Sequence, residues 1–271
     1  MGTLEGHVAL ITGAARGMGR AHAVKLASEG ADIIAVDVCA EFDSTDYPGS
    51  SPQDLAETAR LVQALGRRIL ARTKDVRDAA ALDGVVAEGL EEYGRLDIVI
   101  ANAGIIRVTA ADDRRQTFRD IIDVNLVGAW NTVDAAIPAL IEGGRGGSIV
   151  LTSSTQGIKA SGTERPGLQA YAASKRALVA LAQGWASQLA PHSIRVNTIH
   201  PSGVATDMII NESTMALAAA NDPWLATQQN ALPIALLQPE EIAAAVAWLV
   251  SDAGRFITGT AWPLDAGFTV R

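Results

Sequence analysis

His7-Val-Ala-Leu-Ile-Thr12-Gly13-Ala-Ala-Arg16-Gly17-Met18-Gly19 is the stretch that decides how this chain folds. The run from His7 to Thr12 is short, apolar and ends at a glycine, as a strand buried on both faces does. Beyond it, Met18, Ala21, Val24 and Leu26 recur at helical spacing until Gly30 stops the pattern. Gly13, Gly17 and Gly19 therefore form a G-x-x-x-G-x-G turn between a strand and a helix. Glycines there permit a tight turn and close backbone approach to a pyrophosphate. The helix N-terminus adds free N–H groups and a favourable dipole. Gly13, Arg16, Gly17, Met18 and Gly19 are thus read as a dinucleotide-binding turn.

The same alternation runs through the chain. Further strands are expected at 31–36, 68–73, 96–101, 148–152, 194–199 and 260–264. Helices are expected at 53–65, 78–93, 117–141, 169–189 and 240–251, with a mixed, helical excursion at 207–230. Strands alternating with helices of this length build βαβ units, and right-handed crossovers wind them into a parallel sheet with helices on both faces. The expected fold is α/β, a doubly wound Rossmann sheet. No linker breaks the pattern, so residues 1–271 are read as a single domain. A polar insertion occupies about 41–52, and the segment at about 205–235 is expected to form a lid over a substrate.

Bulk properties narrow the function. Hydrophobic residues make up 48% of the 271 and charged residues 19%, enough for a sizeable core. The formal charge is -8 and no basic run exceeds an arginine pair, so no nucleic-acid partner is expected. Cys39 is the only cysteine, which fits a reducing compartment. Residues 1–7 hold no apolar signal core, and the apolar stretch 242–250 is too short to cross a bilayer. A cytoplasmic protein without a membrane partner is expected. His7, His22, His192 and His200 show no metal-ligand spacing, so no metal is expected. Among them His200, near the cofactor end of the sixth strand, is the one placed to touch cofactor or substrate. Trp130 and Trp185 are read as core or interface residues.

Asp37 closes the second strand, where a carboxylate can accept hydrogen bonds from an adenosine ribose. It would repel a 2′-phosphate, and Val38 offers no compensating charge. Arg16 is the one residue of the turn that could meet such a phosphate. The balance favours NAD as the cofactor. Tyr171 and Lys175 stand at i and i+4 on the 169–189 helix and share a face. A phenol titrating near about 10 is a poor acid or base at neutral pH, and a lysine charge beside it favours the phenolate. The pair can exchange a proton with an alcohol or a carbonyl.

On these residues the chain resembles the short-chain dehydrogenase/reductase family, from about His7 to Phe268. The glycine turn, the pair Asp75-Val76, the triplet Asn102-Ala103-Gly104, Asn125, Ser154, Tyr171 and Lys175 follow the family's order. The resemblance implies that Tyr171 exchanges the proton and Lys175 holds the nicotinamide ribose. Ser154 would bind the substrate oxygen and Asn125 a relay water. Ser153 competes with Ser154, but adjacent residues on an extended segment face opposite ways and Ser154 fits the S-x-x-G pattern. Thr152, Pro201, Gly203, Val204, Thr206 and Met208 complete the implied cofactor contacts. Gln156, Ile158 and Trp224 are the implied substrate contacts.

The insertion and the segment Pro201-Ser-Gly-Val-Ala-Thr-Asp-Met208 are similar to a carveol-dehydrogenase-like, mycofactocin-associated subgroup. That likeness implies a secondary alcohol substrate, an NAD held tightly beneath the insertion, a possible external electron carrier and a homotetramer. Two rival readings are an NADPH-dependent 3-oxoacyl thioester reductase and a catalytically silent dinucleotide-binding redox sensor.

Overall fold

The structure, a computed structural model, describes residues 2–271; Met1, part of the N-terminal segment read above, lies outside them. The strands are β1 (Val8–Thr12), β2 (Asp32–Asp37), β3 (Ile69–Thr73), β4 (Ile98–Ala101), β5 (Gly147–Thr152), β6 (Ile194–Pro201) and β7 (Ala261–Leu264). The helices are α1 (Gly17–Ser28), α2 (Pro52–Ala64), α3 (Ala79–Tyr93), α4 (Arg114–Ile122), α5 (Gly128–Gly143), α6 (Pro166–Leu189), α7 (Glu212–Ala219), α8 (Pro223–Ala226) and α9 (Pro239–Val250). All strand pairs are parallel, in the order β3-β2-β1-β4-β5-β6-β7. This is the expected doubly wound sheet, and the strand expected at 260–264 closes it beyond β6.

Successive strand residues feed two different cores. Leu10, Val99, Ile149 and Leu151 pack with Leu82 of α3, Val133 of α5 and Leu178 of α6. Their chain neighbours Ile11, Ile100 and Val150 pack on the other face with Leu26 of α1 and Val246 of α9. Side chains alternate across a strand, so burying both faces requires an unbroken apolar run. That is why these strands were legible as continuous runs rather than alternating ones.

The helix ends follow local chemistry. Ser51 and Asp54 cap α2 reciprocally, and Pro52 sits at its first position, where no N–H is missed. Asp78 accepts the Ala81 N–H at the start of α3, and Gly94 ends that helix in the left-handed region at φ 71.

The order of strands reverses between β1 and β4. The crevice that opens at such a reversal lies outside the carboxyl ends of the strands. Register aligns those ends: Thr12 lies beside Val36, Asp37 beside Thr73, Ala101 beside Leu151 and Thr152 beside Ile199. Every residue that follows a strand is thereby delivered to one edge.

One expected element differs. The helix read at 117–141 starts at Arg114, runs to Gly143 and is interrupted by a wide π turn at Asp123–Val127. There the Gly128 N–H bonds the Asp123 carbonyl, five residues back. The turn holds Asn125, whose amide is engaged by backbone outside the helix. The 30-residue run Arg114–Gly143 has the length and mean hydropathy of a membrane span, but its apolar side is buried in the first core. Trp185 is buried as expected, whereas Trp130 is half-exposed on α5 and is no core residue.

His22 of α1 is fully buried, and neither ring nitrogen has a hydrogen-bond partner. Burial lowers its pKa from 6.5 to about 4. The unfolded chain therefore takes up a proton below about 6.5 that the folded chain refuses until about 4. Stability should fall as pH drops through that window, by up to about 3 kcal/mol. His22→Met should flatten this acid limb in urea unfolding followed against pH. An unchanged slope in the variant would assign the acid sensitivity to other groups.

Candidate active site

The crevice is walled by the glycine turn (Gly13, Arg16, Gly17, Met18), by Asp37 and Val38 after β2, and by Asp75 and Val76 after β3. Asn102, Ala103 and Gly104 after β4 and Thr206 and Met208 after β6 complete the predicted lining. Gly13 has φ +67, and a Cβ there would sit 2.9 Å from Ala103 Cα. A side chain is excluded on both grounds. Gly19 acts differently: a Cβ would meet the Gly13 carbonyl oxygen at 1.9 Å, so this glycine serves the close packing of the turn on α1. Thr12 ties the turn to the loop after β4. Its Oγ1 accepts from the N–H groups of Asn102 and Ala103 at 3.2 and 3.3 Å, and Asn102 Nδ2 donates to its carbonyl at 3.1 Å. Asn131 of α5 donates to the Val76 carbonyl at 2.9 Å and fixes the opposite wall.

Asp37 is buried and holds three donors. Ala15 N–H reaches Oδ2 at 2.9 Å, while Cys39 N–H and the Ser50 hydroxyl reach Oδ1 at 3.1 and 2.6 Å. The Arg16 guanidinium is engaged by the Asp207 carboxylate at 2.8 Å and by the Pro48 carbonyl. It joins the insertion to the segment after β6, and its charge is already paired. Burial and the charge of Asp37 push the Cys39 thiol up, so this cysteine is no thiolate nucleophile.

The proton-handling residues lie behind this lining, beside Gly104 and the Tyr47 side chain. Lys175 is buried on α6, its ammonium donating to the Thr152 carbonyl at 2.7 Å and lying 5.5 Å from the centre of the Tyr171 ring. Burial brings its pKa down to about 8. Asn125 is fully buried, with Oδ1 accepting from Ile105 N–H at 2.7 Å and Nδ2 donating to the Ile105 carbonyl at 2.9 Å. A Cβ on Gly104 would lie 3.3 Å from both Asn125 Oδ1 and Lys175 Nζ, so these two groups face each other across that glycine. The Ser154 hydroxyl accepts the Gln156 N–H at 3.2 Å, which leaves its own hydrogen free to donate. Ser153 points the other way and donates to the Lys175 carbonyl at 2.7 Å.

Electrostatics correct one expectation. Lys175 does not set the balance at the phenol of Tyr171. Burial raises the phenol above its ordinary value and the Ser154 hydroxyl lowers it in part. The lysine's nearest partner is instead the Thr152 carbonyl.

An apolar cluster abuts Tyr171. Tyr47, Ile106, Val108 and Leu168 are buried together, and Tyr171, Met208, Leu217 and Trp224 pack against them. Tyr47 belongs to the insertion and was missed in the sequence. Its hydroxyl accepts from Ile106 N–H at 3.3 Å, and burial pushes its phenol up. Asp46 beside it accepts from the N–H groups of Val108 and Thr109 at 3.0 and 2.8 Å, while Ser213 of α7 donates to the Asp46 carbonyl at 3.0 Å. Phe42 and Tyr47, two aromatics in an otherwise polar stretch, were the available signal that the insertion packs inward. Phe42, Tyr47 and Ser50 all line the crevice.

Several predicted contacts fall elsewhere. Val204 lies in the second core and bridges to Leu237, and Gly203 accepts from Leu237 N–H at 2.9 Å. With Pro201 ending β6, these three shape the turn below the crevice rather than lining it. Gln156 donates to Gln228 at 3.1 Å and accepts from Ser161 N–H, so its amide braces the lid segment. Neither Gln156 nor Ile158 belongs to the apolar cluster; Trp224 does. Among the described residues, no group of His, Cys, Asp or Glu is arranged to hold a metal.

Comparison with known proteins agrees with this architecture. The family described as enoyl-(acyl carrier protein) reductase matches residues 13–269. A (-)-trans-carveol dehydrogenase of Rhodococcus erythropolis is 44% identical, the alignment covering 100% of both chains. The crystal structure of a carveol dehydrogenase from Mycobacterium avium in complex with NAD superposes with a TM-score of 0.94 at 44% identity, over 100% of each chain. A short-chain dehydrogenase from Mycobacterium paratuberculosis bound to NAD does so with a TM-score of 0.93 at 47% identity, again over 100% of each.

Asn125→Ala would leave the Ile105 N–H and carbonyl without partners in a buried site. It should cost about 2 to 4 kcal/mol of stability in urea unfolding, on top of any loss of turnover. A loss below about 1 kcal/mol would mean that solvent reaches the Ile105 backbone.

Proposed function

Because this chain belongs to the short-chain dehydrogenase/reductase family, we propose that it is an NAD-dependent oxidoreductase that interconverts a secondary alcohol and its ketone. The observation that carries this reading is the gathering of Ser154, Tyr171 and Lys175 beside Gly104 and Tyr47, at the border of a crevice walled by the glycine turn and Asp37. The residues fit a dinucleotide. Gly13, Gly17 and the start of α1 suit a pyrophosphate, and Asp37 suits a ribose without a 2′-phosphate. Asp75, Val76, Asn102, Ala103, Gly104, Thr206 and Met208 would hold the remainder. NAD supplies hydride acceptance when bound. The protein supplies orientation and proton traffic. Ser154 would donate to the substrate oxygen, Tyr171 would exchange the proton with it, and a water held by Asn125 would relay that proton between Lys175 and solvent. The NAD complexes of the two mycobacterial relatives support the cofactor, and the named carveol dehydrogenases support the substrate class.

The apolar cluster beside Tyr171, of Ile106, Val108, Leu168, Met208, Leu217 and Trp224, suits a substrate without charged groups, such as a cyclic alcohol of the carveol type. It argues against a 3-oxoacyl thioester reductase. So does Asp37 where that rival would need to accept NADPH. The complete set of Asn125, Ser154, Tyr171 and Lys175 argues against a silent redox sensor. The insertion, anchored through Arg16, Asp46 and Tyr47, supports a tightly held NAD reoxidised in place by an external electron carrier of the mycofactocin type. Exposed Phe118, Val127, Trp130 and Trp248 suit contacts with other copies in a homotetramer. A cytoplasmic location fits the lone cysteine.

Mass spectrometry of nucleotide released from denatured protein should find NAD, and an artificial electron acceptor should then support turnover on a panel of alcohols. Tyr171→Phe should abolish turnover and keep the nucleotide. Full activity in that variant would sink the mechanism, and NADP in the released fraction would sink the cofactor assignment.

Tyr47→Ala and Trp224→Ala should each raise KM for an apolar alcohol roughly tenfold, the scale of one large apolar contact. Unchanged kinetics in both would reduce the cluster to simple packing.

A further inference from the structure

His200 is the penultimate residue of β6 and is fully buried. Its Nδ1 lies 2.8 Å from the carbonyl oxygen of Ser154, and its Nε2 lies 2.7 Å from the hydroxyl of Thr198. A carbonyl can only accept, so Nδ1 carries the hydrogen. In the neutral ring Nε2 is then the acceptor, and the Thr198 hydroxyl donates to it. Burial, followed by the charges of Lys175 and Arg176, lowers the imidazole pKa against the opposing effects of the Ser154 carbonyl and Asp265. The ring is thus neutral, in one tautomer, with both nitrogens satisfied.

The place of this contact explains its value. The ladder between β5 and β6 ends with Ser153 N–H donating to the Ile199 carbonyl at 2.9 Å. Ser154 lies one residue beyond, outside the sheet. There the imidazole of His200 supplies the cross-strand hydrogen bond that backbone no longer supplies. The Ser154 carbonyl also accepts from Gly157 N–H at 2.8 Å. With two donors on one oxygen, the peptide after Ser154 is fixed on both lone pairs. The hydroxyl of Ser154, engaged by Gln156 N–H on its acceptor side, is then left one direction in which to donate.

We propose that His200 is a positioning residue for the reaction, holding the Ser154 peptide so that the serine hydroxyl is aimed at the substrate oxygen and the Tyr171 phenol. The inference rests on the oxidoreductase reading above for its turnover readout, but it has a second readout that needs no substrate. The chain has three tyrosines, so the phenol carbons can be labelled with ¹³C and Tyr171 identified by its loss in Tyr171→Phe. The titratable groups facing that phenol are Lys175 on α6 and Tyr47 from the insertion.

The test compares His200→Leu, which keeps bulk and loses the donor, with His200→Asn, whose amide nitrogen falls near the position of Nδ1. In holo protein, His200→Leu should lower kcat about tenfold to a hundredfold, the scale of a misaligned catalytic group. KM and the bound nicotinamide should stay unchanged, and His200→Asn should recover most of the loss. In the phenol titration, His200→Leu and the control Ser154→Ala should both move Tyr171 upward, and His200→Asn should move it back. Equal kcat and an unmoved phenol in folded His200→Leu would overturn the proposal. So would an Asn variant as impaired as Leu. If no alcohol is turned over by the parent protein, the oxidoreductase reading fails, and the phenol titration still decides the role of His200.

Discussion

The buried carboxylate of Asp37 is the constraint on which the crevice depends. A carboxylate at the end of a central strand, shut away from water, must be satisfied by donors or it neutralises. Here three donors come from three different places: the glycine turn through Ala15, the strand exit through Cys39 and the insertion through Ser50. One side chain therefore fixes the turn that would carry a pyrophosphate, sets the start of the insertion and presents negative charge to the ribose site. Thr12 repeats the device on the other side, where one hydroxyl holds the loop after β4. The turn is clamped from both flanks, which is why glycines with little conformational preference of their own keep a single geometry.

Behind the crevice lining the problem is a buried cation rather than a buried anion. Lys175 sits in a setting that favours its neutral form, and its ammonium is held by the Thr152 carbonyl. Desolvation lifts the phenol and lowers the ammonium, so two groups of nearly equal proton affinity in water are set apart, with the phenol holding its proton the more tightly. The π turn is a further part of this arrangement. It inserts one residue into a core helix so that Asn125 can grip the Ile105 backbone while the apolar stripes of α4 and α5 both stay against the sheet.

The parts of the molecule that depend on local pattern were legible in the sequence. Strands buried on two faces read as apolar runs, the first helix announced its end at Gly30, and the glycine turn lay between a strand and a helix where its chemistry requires. Asn125, Ser154, Tyr171 and Lys175 were found from their order and do converge. What escaped depends on contacts between distant segments. No periodicity reports that Tyr47 folds into a cluster with Leu168 and Trp224, that Ser50 returns to Asp37, or that Gln156 spends its amide on Gln228. The π turn was hidden for a related reason: a one-residue insertion leaves an amphipathic pattern almost intact. The influence of Lys175 on Tyr171 was misjudged because i, i+4 spacing gives proximity and says nothing of burial, and burial decided the sign.

The bridge made by Arg16, from the Pro48 carbonyl to Asp207, has a kinetic side. The insertion and the segment after β6 both contribute residues to the crevice and can part only by breaking this contact, so the opening motions of the two segments are coupled through one guanidinium.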